Sequence, residues 1–248
     1  MPNLRLGGDP GAEQGQVSAQ ELDRLVASHG LWLASDGRAG AKIDLPDANL
    51  IYAGFSQADL RQANFSGACL FNANLRECNL AHANLADANL QGASMVNVNL
   101  TGAKLQRANL DKAIISGANF EDADLAGARL RATNLLSANI LHTQMRGADL
   151  TDANLAGAIA RESTLDNVNL TDAKLMLVDF SDTSLKQAVF AGAVIFGAIL
   201  NGADLADADL SSVQGLTQDQ LDTAYGNSAT RLPEAFVGYL MRAKPAGA

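Results

Sequence analysis

The chain has 248 residues, 48% of them apolar but only 5% aromatic, so its apolar mass lies in Ala and Leu and any core must be narrow and built from many similar layers. Its formal charge of −9 and pI near 4.7 argue against direct nucleic-acid binding, which needs clustered Lys and Arg. No stretch reaches the roughly 18 apolar residues of a membrane span, and Cys69 and Cys78 are too few for a disulfide scaffold or metal knuckle, so a soluble cytoplasmic protein with reduced thiols is expected.

In chain order, residues 1–16 hold neither an apolar signal core nor a cleavage site and are expected to form a disordered tail. Residues 17–37 predict a capping helix. Ser18 and Glu21 have capping-box spacing, Val17 and Leu22 are placed as a hydrophobic staple, and Leu22, Leu25, Val26, Trp32 and Leu33 share one face. Gly37 is its expected stop, and His29 reads as a packing or cap residue.

Residues 43–212 carry a period of five. From Leu45 to Leu210 every fifth residue is apolar, and 33 of these 34 are Leu, Phe, Ile or Met, with Ala160 the exception. Two residues earlier, 25 of the 34 are Ala, and the residue between is Asn or Asp in 20 of 34 repeats. A helix needs an apolar residue every three or four positions and a strand every two, so this spacing fits neither. If each fifth side chain faces one common interior, the chain must turn once per repeat, with the small residue pointing inward at the corner.

The pattern A(D/N)LXX, as at Ala58 to Leu60 or Ala73 to Leu75, resembles the pentapeptide-repeat family over about 168 of 248 residues. The resemblance implies an all-β solenoid: a right-handed quadrilateral β-helix of 20 residues per coil, about eight coils and on the order of 40 Å long, with short helical caps at both ends. For residues 216–248 the cap is drawn from Thr217 and Gln220 as a second box, Leu216 and Leu221 as staple, Gly226 after the helix and Pro233 opening another short one. The stretch GLTQDQLDTAYGN, followed by TRLP, is similar to a common ending of bacterial members.

No Ser/His/Asp set, phosphate loop or metal spacing is present, and no cofactor is expected. His82 and His142 stand at the same place in the 20-residue frame but three coils, about 14 Å, apart. That is too far to share a metal, and both read as solvated. Cys78 reads as core and Cys69 as an unreactive surface or turn thiol. At Ala160 the missing core volume is expected to be filled by Phe180 or by inward rotation of Ile159.

A non-enzymatic protein-interaction or scaffold rod is therefore the expected function, and two surfaces are candidates. Folded at 20 residues per coil, the side centred on Met95, Ile115, Leu135, Leu155, Leu175 and Ile195 gathers Val96, Ile114, Leu136, Met176, Leu177, Val194 and Phe196, with Glu77 its one acid. This is how an interface core with a charged rim looks, and homodimerisation through the C-terminal coils is the expectation attached to it. The second candidate is acidic. Residues 43–146 hold 9 acids and 8 bases, whereas 147–212 hold 10 and 3. Quinolone-resistance members of the family bind DNA gyrase by imitating a duplex, so the resemblance implies Asp149, Asp152, Glu162, Asp166, Asp172, Asp179 and Asp182 as a duplex-like field. This chain lacks the loop insertions of several gyrase-protecting members.

Overall fold

The computed structural model describes residues 17–245; the expected tail over 1–16 lies outside them. Residues 44 to 214 form a solenoid whose register never slips. Parallel bridges join residue i to i+20 from Asp44↔Asn64 through Val194↔Gln214, at every fifth residue, so each coil has four sides. Pairing consists of single bridges joined by turns, because a turn at every repeat leaves no room for longer strands.

Along the stack, core residues donate their backbone N–H to the coil above, as in Leu90 N to Asn109 O (2.7 Å), and residues at the Asx position donate to the coil below, as in Asn109 N to Ala88 O (2.9 Å). In this way a thin core satisfies backbone groups that it cannot hide. Inside, Leu60, Phe65, Leu70 and the equivalents up to Leu210 are essentially inaccessible, with the alanines two residues earlier closing the corners. Where a hydroxyl or thiol replaces that alanine, it donates to the core carbonyl 23 residues back: Cys78 to Phe55, Thr133 to Leu110, Thr143 to Phe120, Ser163 to Ile140 and Thr183 to Ala160. One bond thus makes each polar corner tolerable. Burial pushes the Cys78 thiol up to about 11.

Every corner is left-handed. At all 33 positions from 47 to 207 that follow a core residue by two, φ is positive, although only 10 of them are glycine. The core residue's carbonyl accepts from the N–H three residues on, as in Ala53 N to Leu50 O (3.0 Å), so this residue is the third of a β-turn, where type II geometry demands φ above zero. Ten of the 23 non-glycines are Asp or Asn, which tolerate that conformation best. Asn and Asp serve a second purpose before the core residue: their side-chain oxygens accept from the N–H two residues on, and Asn99, Asn109 and Asn139 also donate to the amide one coil below.

At the N-terminal end, α1 (Ala19–Ala34) covers the first coil. Val17 and Leu22 join the core, and Val17 N donates to Asn49 O (3.3 Å). Only half of the expected capping box forms. Ser18 accepts from Glu21 N (3.3 Å), while the Glu21 carboxylate turns toward Arg24 (3.7 Å).

At the other end the pairing does not stop at residue 212, and of the segment expected to be helical over 216–248 the described residues hold only α2 (Gln218–Thr223) and a 3-10 turn (Glu234–Phe236). Between and after them the ladder continues with its register drifting, as Asp204↔Tyr225, Asp209↔Arg231 and Tyr225↔Arg242. The capping box on α2 is complete, and Gln220 Nε2 also reaches the carbonyls of Ala198 (2.8 Å) and Ile195 (3.3 Å).

Ala160, the one small residue in the core row, is itself wholly buried. Ile159 does not rotate inward. It keeps the bridge position between Asn139 and Asp179 and is 46% exposed, while Phe180 is wholly buried one coil on.

Candidate interaction surface

Bridging residues i−1 and the residues after the core form two outward columns on each side of the rod. On one side the first column runs Ile114, Asn134, Asn154, Lys174, Val194. The second runs Val96, Ser116, Leu136, Ala156, Met176, Phe196, its coils joined by bonds such as Gly157 N to Met176 O (2.9 Å). All seven apolar residues expected here do share this side. Ile114, Leu136, Met176, Leu177 and Phe196 are exposed, whereas Val96 and Val194 are half-buried. Among the described residues the C-terminal segment does not fold back over the patch: Phe196 leans across Gly215 yet keeps 57% of its surface in solvent. Leu177 is 70% exposed at φ 59, a conformation unfavourable for a bulky residue.

Two apolar residues were missed. Ile159 and Ile199 stand exposed just around the corner, flanking Asp179. The signal was present, since both occupy the position that is Asn or Asp in most repeats.

The seven acids of the second candidate do not form one surface. Asp149 neighbours Arg131 (3.8 Å), Asp166 binds Arg146 (3.2 Å) and Asp179 binds Arg161 (2.6 Å), each a cross-coil pair on a different side. Burial alone would raise the Asp179 carboxyl, but hydrogen bonds from Ser181 and the Arg161 guanidinium hold it below the usual carboxylate range. Asp152 and Asp172 stack on one corner and Asp182 stands on another; among the described residues none of these three forms an ion pair.

His142, expected as a surface histidine, does keep 40% of its side chain in solvent, but carboxylates flank it. The imidazole lies between Asp122 (Nδ1, 3.6 Å) and Glu162 (Nε2, 3.4 Å), one coil below and one above. His82 lies over Gly102 beside a shallow depression of about 720 Å³ lined by Lys42, Asp44, Asn64, Asn84 and Lys104. Its amides are already engaged, Asn64 donating to Asp44 (2.6 Å) and Asn84 to Asn64 (2.9 Å).

Among the described residues no three or more His, Cys, Asp and Glu side chains are arranged to hold a metal, and no helix is long and apolar enough to cross a membrane.

Among solved structures, the chain is similar to HetL, a pentapeptide repeat protein involved in heterocyst differentiation regulation in the cyanobacterium Nostoc. The two are 27% identical over 81% of this chain and 96% of HetL, with a TM-score of 0.48. It is also similar to QnrB1, a plasmid-mediated fluoroquinolone resistance protein, at 16% identity over 78% of this chain and 91% of QnrB1, with a TM-score of 0.45. A pentapeptide repeat protein from the Arabidopsis thaliana thylakoid lumen is 23% identical over 60% of this chain and 85% of its own, with a TM-score of 0.19. No curated protein sequence matches. The model of the pentapeptide-repeat family matches in eight copies over residues 42–77, 78–117, 113–152, 148–176 and 173–211, and with the unbroken 20-residue register this places the chain in that family.

Proposed function

We propose that the protein is a rigid, non-enzymatic rod, a right-handed helix of about eight coils closed at both ends, that works in the cytoplasm by holding another protein against its apolar side. The observation that carries the reading is the contrast between sides. One presents Ile114, Leu136, Met176, Leu177 and Phe196 to solvent with Lys174 as the lone charge among them, while the cross-coil ion pairs lie on the other sides. A rigid β-scaffold with such a patch is built for association, because exposed clusters of this kind are uncommon on isolated chains.

Immobilised protein is expected to retain a specific protein from cell extract, and the double variant Met176→Asp, Phe196→Asp to lose it. Retention untouched by both charges overturns the use of this side.

A second reading, imitation of a DNA duplex toward gyrase or another type II topoisomerase, is favoured by one observation: Asp152, Asp172 and Asp182 stand at corners of the C-terminal half with no cation paired to them among the described residues. A purified-enzyme assay separates the two. Absence of any effect on gyrase supercoiling or on its inhibition by a fluoroquinolone removes this second reading and leaves the first.

A further inference from the structure

The apolar side is not only exposed but ordered by size, and the order is self-complementary when reversed. Along the rod, Leu136 and Ala156 precede Met176 and Phe196, and on the adjoining corner Ser137 and Gly157 precede Leu177. A two-fold axis crossing the rod between the Ala156 and Met176 coils sets Met176 opposite Ala156, Leu177 opposite Gly157 and Phe196 opposite Leu136. Each large side chain then meets a gap or a hydrocarbon. Gly157 offers open space, since a Cβ there would meet only Ser137 Oγ at 3.6 Å.

Charge follows the same operation. Lys174 is exposed and forms no ion pair among the described residues, and neither does Asp152. The axis brings Lys174 of one copy opposite Asn154 of the other, next to Asp152 at the corner. A parallel two-fold would do the opposite, pressing the Leu177 corner onto the corner carrying Asp152 and Asp172 and stranding carboxylates against leucine.

We infer that the occupant of this side is a second copy of the chain, docked antiparallel about an axis between the Ala156 and Met176 coils. The inference rests on the association reading above and adds the partner and its orientation. It also gives the exposed, left-handed Leu177 a use, as a knob entering the partner's gap, the isologous arrangement that a two-fold requires.

Light scattering across a concentration series is expected to show wild type approaching twice the chain mass, and Met176→Asp, Phe196→Asp remaining at one chain mass with an unchanged circular dichroism spectrum. Orientation is read by cysteine pairing in a Cys69→Ser background. Ala156→Cys mixed with Met176→Cys is expected to oxidise to a mixed dimer, and neither to pair with itself, because a disulfide needs facing Cα atoms within about 7 Å. A dimer indifferent to both charges, or Ala156→Cys pairing with itself, overturns the inference. A wild type that stays monomeric yet loses a captured protein on the double change sinks the dimer alone and leaves the wider reading standing.

Discussion

The two ends of the rod meet the same problem with different chemistry. At the N-terminal end α1 places a histidine in the opening. His29 is fully buried, Nδ1 accepts from Ile43 N (3.1 Å), Nε2 donates to Arg61 O (3.1 Å), and the ring stacks on Trp32 at 5.6 Å. At the C-terminal end the glutamine of a six-residue helix reaches two core-level carbonyls, and the remaining sides are covered by rungs in a drifting register. The first solution ties the start of the first coil to its end through one rigid ring and so concentrates its stability at one point. The second spreads it over many weak contacts. An open end exposes both unpaired backbone and core side chains, and each design supplies hydrogen-bond partners together with apolar cover.

The largest expected effect is at Gly40. Its φ is +72, and a Cβ there would lie 2.1 Å from Ser28 O and 2.8 Å from Trp32 N, both backbone atoms. Gly40→Ala should therefore push α1 off the first coil and cost roughly 3 kcal/mol or more, seen by hydrogen exchange as early opening near residues 43–62 while the C-terminal coils stay protected.

His29→Ala comes next, at about 2–3 kcal/mol, because it leaves the Ile43 N–H and the Arg61 carbonyl without their partner and opens a cavity. Acid should mimic it. Burial lowers the pKa of His29 from 6.5, only partly offset by the bond to Arg61. The unfolded chain then binds the proton more readily, so this contribution to stability is complete above 6.5 and is lost as pH falls below it. Titration from neutral toward pH about 5 should loosen the N-terminal end of wild type but not add to the defect of His29→Ala. An equal acid response in both proteins would show that the histidine is not the sensitive group.

The C-terminal end should be more forgiving. Gln220→Ala removes the bonds to the Ile195 and Ala198 carbonyls together with the half of the capping box that accepts from Thr217 N (2.8 Å), and a loss of about 1–2 kcal/mol is expected, with exchange confined to residues near 195–225. Smallest is Thr217→Ala, about 1 kcal/mol for one helix cap; if it matched Gly40→Ala in thermal denaturation, the contrast between the ends would be wrong.

The coil itself was legible because a period of five with one large and one small apolar residue permits only an inward stack with a turn per repeat. The apolar side followed once residues 20 apart were aligned, as Met176 over Ala156 shows. Of the two ways offered for Ala160 to be accommodated, the inward turn of Ile159 does not occur, because the bridge at residue 159 keeps that side chain 46% exposed, an orientation that the small size of residue 160 does not reveal. The setting of His142 needed the same 20-residue alignment applied to the corners, where Asp122 and Glu162 are its nearest neighbours along the stack. The drift to 21 and 22 residues at Tyr225 and Arg231 left no trace in the sequence, since losing a period does not reveal which pairing replaces it.

The constant 20-residue register has a consequence for how such a chain can change length. Corners as different as Arg107, Ala132 and Leu177 share one backbone conformation, so the coil is indifferent to which stretch of sequence it is wound from. Deleting one full turn would shorten the rod by about 4.8 Å and leave every downstream residue on the side it occupied. Deleting a single pentapeptide would instead advance everything beyond it by a quarter revolution, with the fold intact and the surface lettering out of phase. Met176 and Phe196 would then leave the side of Ile114 and Leu136. Length in this protein is quantised twice, in fives for folding and in twenties for any surface that must read continuously along the axis.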